Sequence, residues 1–334
     1  MNIAINGFGR IGRQALRIIL EKHPKMKVVL INDLSPDETL AHLFKFDSTY
    51  GTYPGAVSAK GGMLIIDGVK IQSTTERDPS ALPLKKLKVD VVLECTGVFR
   101  KKEQLQMFLA AGAKKVILSA PAKDDIDGTF VLGVNEKLYN PKTMHIISNA
   151  SCTTNSLAPV VKVLEEAFGI EHGLMTTIHS YTNDQVILDA AHKDLRRARS
   201  AAQSIIPTTT GAAKAVALVL PHLKGKLNGI SVRVPTPTVS LTDLTVTLKK
   251  KVTPEQVNAA FAKAAKGNLK GILGFEERPL VSMDFRGDMR SSIVDAESTQ
   301  VIGDHLVKVF AWYDNEWGYS NRLVELAELV GNKL

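Results

Sequence analysis

Three glycines, in Gly7-Phe8-Gly9-Arg10-Ile11-Gly12, stand directly after an apolar run, Met1 to Asn6, and open a helical pattern, Ile11 to Glu21. A strand that turns at once into a helix needs these glycines: one for the tight turn, one to let a ligand meet bare backbone, one to bring helix against strand. The free N–H groups at such a helix start suit the phosphates of a nucleotide. The next strand pattern, Lys27 to Asn32, ends at Asp33, roughly 20 residues past the last glycine, where a carboxylate accepts hydrogen bonds from a ribose. That carboxylate would repel a 2′-phosphate, which favours NAD over NADP. A ligand-free turn followed by an ordinary loop carboxylate is the competing reading, and the agreement of strand, spacing and helix argues against it.

The alternation continues through Val89 to Cys95, Lys101 to Ala111 and Lys115 to Ser119, with Gly112 placed as the residue just past a helix end. Alternation of this kind predicts βαβ units and a mostly parallel, doubly wound Rossmann sheet. Beyond Cys152 the pattern changes. Val239 to Lys250 reads as a period-two strand with an irregularity near Asp243, and Leu280 to Met283 and Leu306 to Tyr313 are further strand candidates. Thr253-Pro254-Glu255-Gln256 has the hydroxyl cap, proline and glutamine of a helix start. The expected fold is therefore α/β, a parallel sheet followed by an α+β domain with a mainly antiparallel sheet. The last helix, with Leu323, Leu326, Ala327 and Val330 on one stripe, is expected to pack back on the first domain.

Cys152 lies in Ser148-Asn149-Ala150-Ser151-Cys152-Thr153-Thr154-Asn155, ahead of an apolar face formed by Leu157, Val160, Val161, Leu164 and Phe168. Pro159 falls too deep for a first-turn proline, which predicts a kink or a separate first turn. A helix N-terminus and a nearby imidazolium both lower a thiol pKa, so Cys152, with His179 as candidate base, is expected to be ionised near neutral pH. Cys95, ending an apolar strand, fits an inert buried thiol. Taken alone, His179 also fits a satisfied core histidine. A hydride-accepting nicotinamide combined with a reactive thiol narrows the chemistry to aldehyde oxidation through a thiohemiacetal and a thioester, which phosphate can open.

Two cysteines are too few for a disulfide framework, so a reducing, cytoplasmic setting is expected. No run of 18 apolar residues suggests a membrane span, and no HExxH or CxxC spacing suggests a metal. A net charge of +8 suits anionic small molecules, while no nucleic-acid recognition module is legible.

The segments INGFGRIGR ending at Arg13, SNASCTTN around Cys152, HSYTNDQ from His179, TTTGAAKAV from Thr208, SVRVPTP around Arg233 and WYDNEWGYSNR from Trp312 resemble the phosphorylating glyceraldehyde-3-phosphate dehydrogenases. The resemblance spans the chain. It implies a homotetrameric glycolytic enzyme that converts glyceraldehyde 3-phosphate, NAD and inorganic phosphate into 1,3-bisphosphoglycerate and NADH. It further implies that Cys152 is the nucleophile and His179 its base. Arg10, Ile11, Asp33, Arg77, Ser119 and Asn315 match cofactor positions, Asn315 on the nicotinamide carboxamide, with Thr96 and Gly97 lining the same groove. Thr182, Arg233 and Arg197 would hold the substrate phosphate; Ser151, Thr153, Thr210 and Gly211 would receive the attacking phosphate. The implied domains are 1–150, completed by the C-terminal helix 318–334, for the dinucleotide, and 151–317 for catalysis. One departure stands out. Ala190-Ala191 replaces the Leu-Pro usual in NAD-strict members, which implies NAD preference with some NADP tolerance. An erythrose-4-phosphate dehydrogenase, which hydrolyses its thioester, and a non-catalytic NAD- or RNA-binding protein on the same scaffold are the competing readings.

Overall fold

The computed structural model describes residues 1–334, which divide into two compact units: 1–130 with 137–150 and 320–334, and 131–136 with 151–319. Residues 131–136, grouped with the first half by the sequence reading, thus cluster with the second.

The first unit carries β1 (Asn2–Asn6), α1 (Arg10–Lys22), β2 (Lys27–Asn32), α2 (Asp37–Lys45), β3 (Val57–Ala59), β4 (Met63–Ile66), β5 (Val69–Thr74), β6 (Val91–Glu94), α3 (Lys102–Ala110), β7 (Lys115–Leu118), β8 (Gly128–Thr129) and β9 (Ile146–Ser148). They form a 9-stranded sheet in the order β3-β4-β5-β2-β1-β6-β7-β9-β8. The stretch from β5 to β8 is parallel, with β3 and β4 added antiparallel at one edge. From β1 the chain winds outward first through β2 and later through β6. That reversal is the topological switch point of a doubly wound sheet, outside whose strand ends ligands bind. Strands covered on both faces read as continuous apolar runs, and β6 and β7 are buried along their whole length. Around them Leu105, Phe108, Val92 and Val116 form one core. Gly112, with φ +111°, ends the turn after α3.

The second unit carries α4 (Cys152–Phe168), β10 (Ile170–Ser180), β11 (Ile206–Thr209), α5 (Ala212–Val219), β12 (Leu227–Val234), β13 (Ser240–Leu248), α6 (Pro254–Lys266), β14 (Leu273–Glu276), β15 (Ser292–Ile302), β16 (Leu306–Tyr313) and the start of α7 (Trp317–Gly331). Its 7-stranded sheet, β11-β12-β10-β13-β16-β15-β14, is mainly antiparallel, with parallel pairs β10–β12 and β14–β15. Thr253 caps α6 as expected: its hydroxyl accepts the Gln256 N–H at 3.4 Å, and the Gln256 side chain accepts the Thr253 N–H at 3.0 Å. Leu323, Leu326, Ala327 and Val330 are fully buried, in the part of α7 that belongs to the first unit.

Two local expectations are corrected and a third is narrowed. Residues Ser282–Phe285 form a 3-10 turn, not a strand, because the Asp284 carboxylate takes the Val281 N–H at 2.8 Å and winds the chain back on itself. No irregularity interrupts β13 at Asp243, which pairs in register with Thr176 and Phe310 while its carboxylate binds the Lys308 ammonium. Finally, α4 runs as one 17-residue helix through Pro159 with no separate first turn. Between Thr153 and Leu164 every side chain but that of Lys162 is buried, and this packing outweighs one missing backbone hydrogen bond.

Candidate active site

At the C-terminal ends of β1, β2 and β6 lies a cavity of about 410 Å³, lined by Asn6, Gly7, Gly9, Asn32, Asp33, Leu34, Glu76, Arg77, Cys95, Thr96, Val98 and Phe99. The three motif glycines have separate reasons to be there. Gly7 has φ +91°, and a Cβ on it would sit 2.6 Å from the Thr96 nitrogen. On Gly12 a Cβ would sit 2.2 Å from the Gly7 carbonyl oxygen. On Gly9 it would meet nothing within 4 Å. Two glycines are thus demanded by packing, whereas the bare face of Gly9 opens into space, which fits a pyrophosphate approaching backbone at the start of α1. Gly12→Ala is expected to destabilise the fold by about 1–3 kcal/mol, since the obstructing atom is backbone; denaturant unfolding of the variant checks this.

Asp33 accepts the Phe8 N–H at 2.8 Å and the Ser35 N–H at 3.0 Å, so it braces the glycine turn while lining the cavity. Arg77 and Thr96 line the same wall. The Arg10 guanidinium instead binds Asp47 at 2.7 Å and stacks over Tyr50, so what Arg10 and Ile11, in the first turn of α1, can offer a phosphate is their backbone. Ser119 donates its N–H to the Glu94 carbonyl at 2.9 Å, just beyond β7. Gly97 takes φ +72°. Beneath the cavity runs a polar chain that the sequence did not disclose. The Thr74 hydroxyl and Glu76 N–H donate to Asn32, Asn32 donates to Asn6, Asn6 donates to Glu94, and Glu94 accepts the N–H and hydroxyl of Thr96. Glu94 is wholly buried, and burial raises its pKa to about 7.

In the second unit Cys152 is the first residue of α4. Ser151 caps that helix, its hydroxyl accepting the Thr154 N–H at 3.0 Å, and Ala150 before it takes a left-handed φ of +55°. The Cys152 Sγ lies 3.5 Å from the His179 Nε2, near the end of β10. The other ring nitrogen, Nδ1, lies 2.6 Å from the Ser180 carbonyl oxygen. A carbonyl only accepts, so Nδ1 carries the proton and Nε2 presents its lone pair to the sulfur. The structure therefore makes His179 a proton acceptor oriented at the thiol.

Electrostatics correct the expected charge state. Burial pushes the Cys152 thiol up, with the Arg233 cation and Thr153 opposing. Burial, then Arg233, pushes His179 down to about 3. The ligand-free pair accordingly rests as thiol and neutral imidazole, not as thiolate and imidazolium. Cys95 is pushed up to about 12 by burial, in line with an inert thiol.

Arg233 on β12 stands in register beside His179 on β10, and its guanidinium donates to the Ser180 carbonyl at 3.3 Å and the Thr182 hydroxyl at 3.1 Å. The Arg197 guanidinium binds Asp184, the Thr208 hydroxyl at 3.0 Å and the Thr209 carbonyl at 3.2 Å, and its charge also bears on Arg233. The Thr210 hydroxyl accepts the Ala212 N–H at 3.2 Å, and Gly211, capping α5, has open space where a Cβ would stand. Asn315 is held through its amide oxygen by the Ser240 hydroxyl at 2.9 Å. Tyr313 was not singled out from the sequence. Its buried hydroxyl joins Thr153 at 2.9 Å and Thr177 at 2.7 Å, bracing the residue next to the nucleophile.

Comparison with known proteins adds to this geometry. A family model described as "Glyceraldehyde 3-phosphate dehydrogenase, NAD binding domain" matches residues 1–102, and one described as "Glyceraldehyde 3-phosphate dehydrogenase, C-terminal domain" matches residues 151–315. The chain is 59% identical to the glyceraldehyde-3-phosphate dehydrogenase of Geobacillus stearothermophilus over 100% of its length and 99% of the relative. It is 57% identical to glyceraldehyde-3-phosphate dehydrogenase 1 of Bacillus cereus, over 99% of this chain and 98% of that one. With glyceraldehyde-3-phosphate dehydrogenase 1 of Bacillus subtilis it shares 55% identity over 100% and 99%. No helix is long and apolar enough to cross a membrane.

Proposed function

Because the chain belongs to the glyceraldehyde-3-phosphate dehydrogenase family, we propose that it oxidises D-glyceraldehyde 3-phosphate, with inorganic phosphate and NAD, to 1,3-bisphosphoglycerate in glycolysis and gluconeogenesis. One observation carries the reading: a cysteine sulfur at a helix start, 3.5 Å from a histidine nitrogen whose ring is locked as a base. The backbone of Gly7 to Gly12, with Asp33, Arg77, Thr96, Gly97, Ser119 and Asn315, would hold NAD, which would supply the two-electron oxidant.

Cys152 adds its sulfur to the aldehyde carbon while the thiol proton passes to His179 Nε2 and on to the carbonyl oxygen, giving a thiohemiacetal. During oxidation His179 Nε2 takes that hydroxyl proton back, and the acyl group is left on sulfur as a thioester. Phosphate then adds to the thioester carbon, the C–S bond breaks, and Cys152 leaves as the thiolate that recovers the proton from His179. Arg233 and Thr182, with Arg197, hold the C3 phosphate through charge-assisted hydrogen bonds. Ser151, Thr153, Thr210 and Gly211 receive the attacking phosphate as neutral donors. Burial first and the Arg233 cation second depress His179, so an anion on Arg233 offsets the second of these and strengthens the base when substrate is bound.

The domain roles follow the two units: residues 1–130 with 137–150 and 320–334 bind the dinucleotide, and 131–136 with 151–319 perform the chemistry. The enzyme works as a cytoplasmic homotetramer. NADH formation from glyceraldehyde 3-phosphate tests the reading. Turnover should require added phosphate; phosphate-independent turnover would favour a hydrolytic erythrose-4-phosphate dehydrogenase. The same assay with each cofactor should give a kcat/KM at least about tenfold higher for NAD, a difference of about 1.4 kcal/mol, with some use of NADP, as the resemblance of Ala190-Ala191 to NADP-tolerant members implies. A preference for NADP would overturn that assignment.

A further inference from the structure

Ser240 opens β13 opposite Tyr313 of β16 and is 1% exposed. Its hydroxyl oxygen accepts the Ser180 N–H at 3.1 Å, and its proton goes to the Asn315 amide oxygen at 2.9 Å. The two ends of a carboxamide are nearly equal in size, so packing alone does not select which end points where; a fixed hydroxyl donor does, because only the oxygen end can accept. The backbone around Asn315 is already immobilised. The buried Asp314 carboxylate takes the N–H groups of Gly287, Glu316 and Trp317 and the Thr238 hydroxyl. What remains free is rotation of the Asn315 side-chain amide.

We propose that Ser240 is a positioning residue that locks the Asn315 amide with its oxygen inward and its NH2 outward, and so sets which face of the nicotinamide ring is reduced. The assignment deepens the function proposed above and rests on Asn315 meeting the nicotinamide carboxamide. Outward NH2 donors match a carboxamide oxygen and not a carboxamide NH2. A ring turned over about its glycosidic bond presents the wrong group to that donor. Through the Ser180 N–H the same hydroxyl also anchors the residue whose carbonyl orients His179, so one side chain holds both the cofactor-facing amide and the base-facing carbonyl.

The test is Ser240→Ala, assayed with NAD deuterated at C4 and the configuration of the resulting NADH read by NMR, alongside NAD titration by calorimetry. The unmodified enzyme should reduce one face only. The variant should deposit hydrogen on both faces and bind NAD about three- to tenfold more weakly, one neutral hydrogen bond's worth. Ser240→Thr, which keeps the hydroxyl, should restore one-face reduction. Retained single-face reduction and affinity in Ser240→Ala would overturn the proposal, as would a variant altered only in its alkylation profile. If Ser240→Ala does not fold, the unmodified protein with 15N-labelled asparagine decides: the Asn315 NH2 resonances must shift on saturation with NAD, and unmoved resonances refute the assignment. A protein that fails to bind NAD at all in the calorimeter would instead refute the underlying function.

Discussion

Cys152→Ser should lower turnover of glyceraldehyde 3-phosphate by roughly four to six orders of magnitude, the scale on which a covalent nucleophile's removal is felt, while leaving NAD affinity within about twofold. The substitution is nearly isosteric, and Ser151 still caps α4. What disappears is an atom with a reachable anion. Burial already raises the Cys152 thiol against the pull of Arg233, and a hydroxyl in that place starts many pH units higher. An oxygen ester, if one formed, would also resist phosphate far more than a thioester does. Stopped-flow NADH formation and calorimetric NAD binding separate the two effects. A variant retaining more than about a hundredth of the rate would show that Cys152 is not the nucleophile.

His179→Asn should reduce kcat by about 10²- to 10⁴-fold, the range for a lost general base, with a smaller effect on the KM for substrate. Asparagine can still meet the Ser180 carbonyl, but it presents no basic lone pair to Cys152. The direction of the pH effect follows from the depressed imidazole. With His179 held at about 3 in the ligand-free protein, the ring is a neutral acceptor throughout the neutral range, and protonation removes it only in acid. Thiolate formation in the parent is therefore assisted by Nε2 at 3.5 Å; in the variant only water takes the proton. Alkylation of Cys152 by iodoacetamide should become slower at neutral pH, because no neighbouring base then takes the thiol proton. A profile identical to the parent would break the pairing.

Much of this was legible in the chain because it depends on local rules. The glycine turn, Asp33, the Thr253 cap and the buried stripe on α7 are each set by neighbours within a few positions in sequence. The short hairpin strands β3 and β4 offered no such signal, being three and four residues long. Leu280 to Met283 has the apolar content of a strand, but the Asp284 carboxylate caps a turn there. Asp243 resembled a fault in β13 because its partner, Lys308, is supplied by β16. Ser180, Ser240 and Tyr313 escaped for the same reason. Their roles come from strand register, which juxtaposes residues far apart in the chain, as Ser240 with Tyr313 or His179 with Arg233. The charge state of the thiol was misjudged because a helix start is visible in sequence and desolvation is not.

The most direct test of the covalent account is a rapid mix of enzyme, NAD and glyceraldehyde 3-phosphate with phosphate withheld, followed by quench and peptide mass analysis. The mixture should give a burst of one NADH per active site and an acyl adduct on the peptide bearing Cys152, discharged when phosphate is added. NADH that accumulates linearly from the first turnover with Cys152 unmodified would contradict the covalent account.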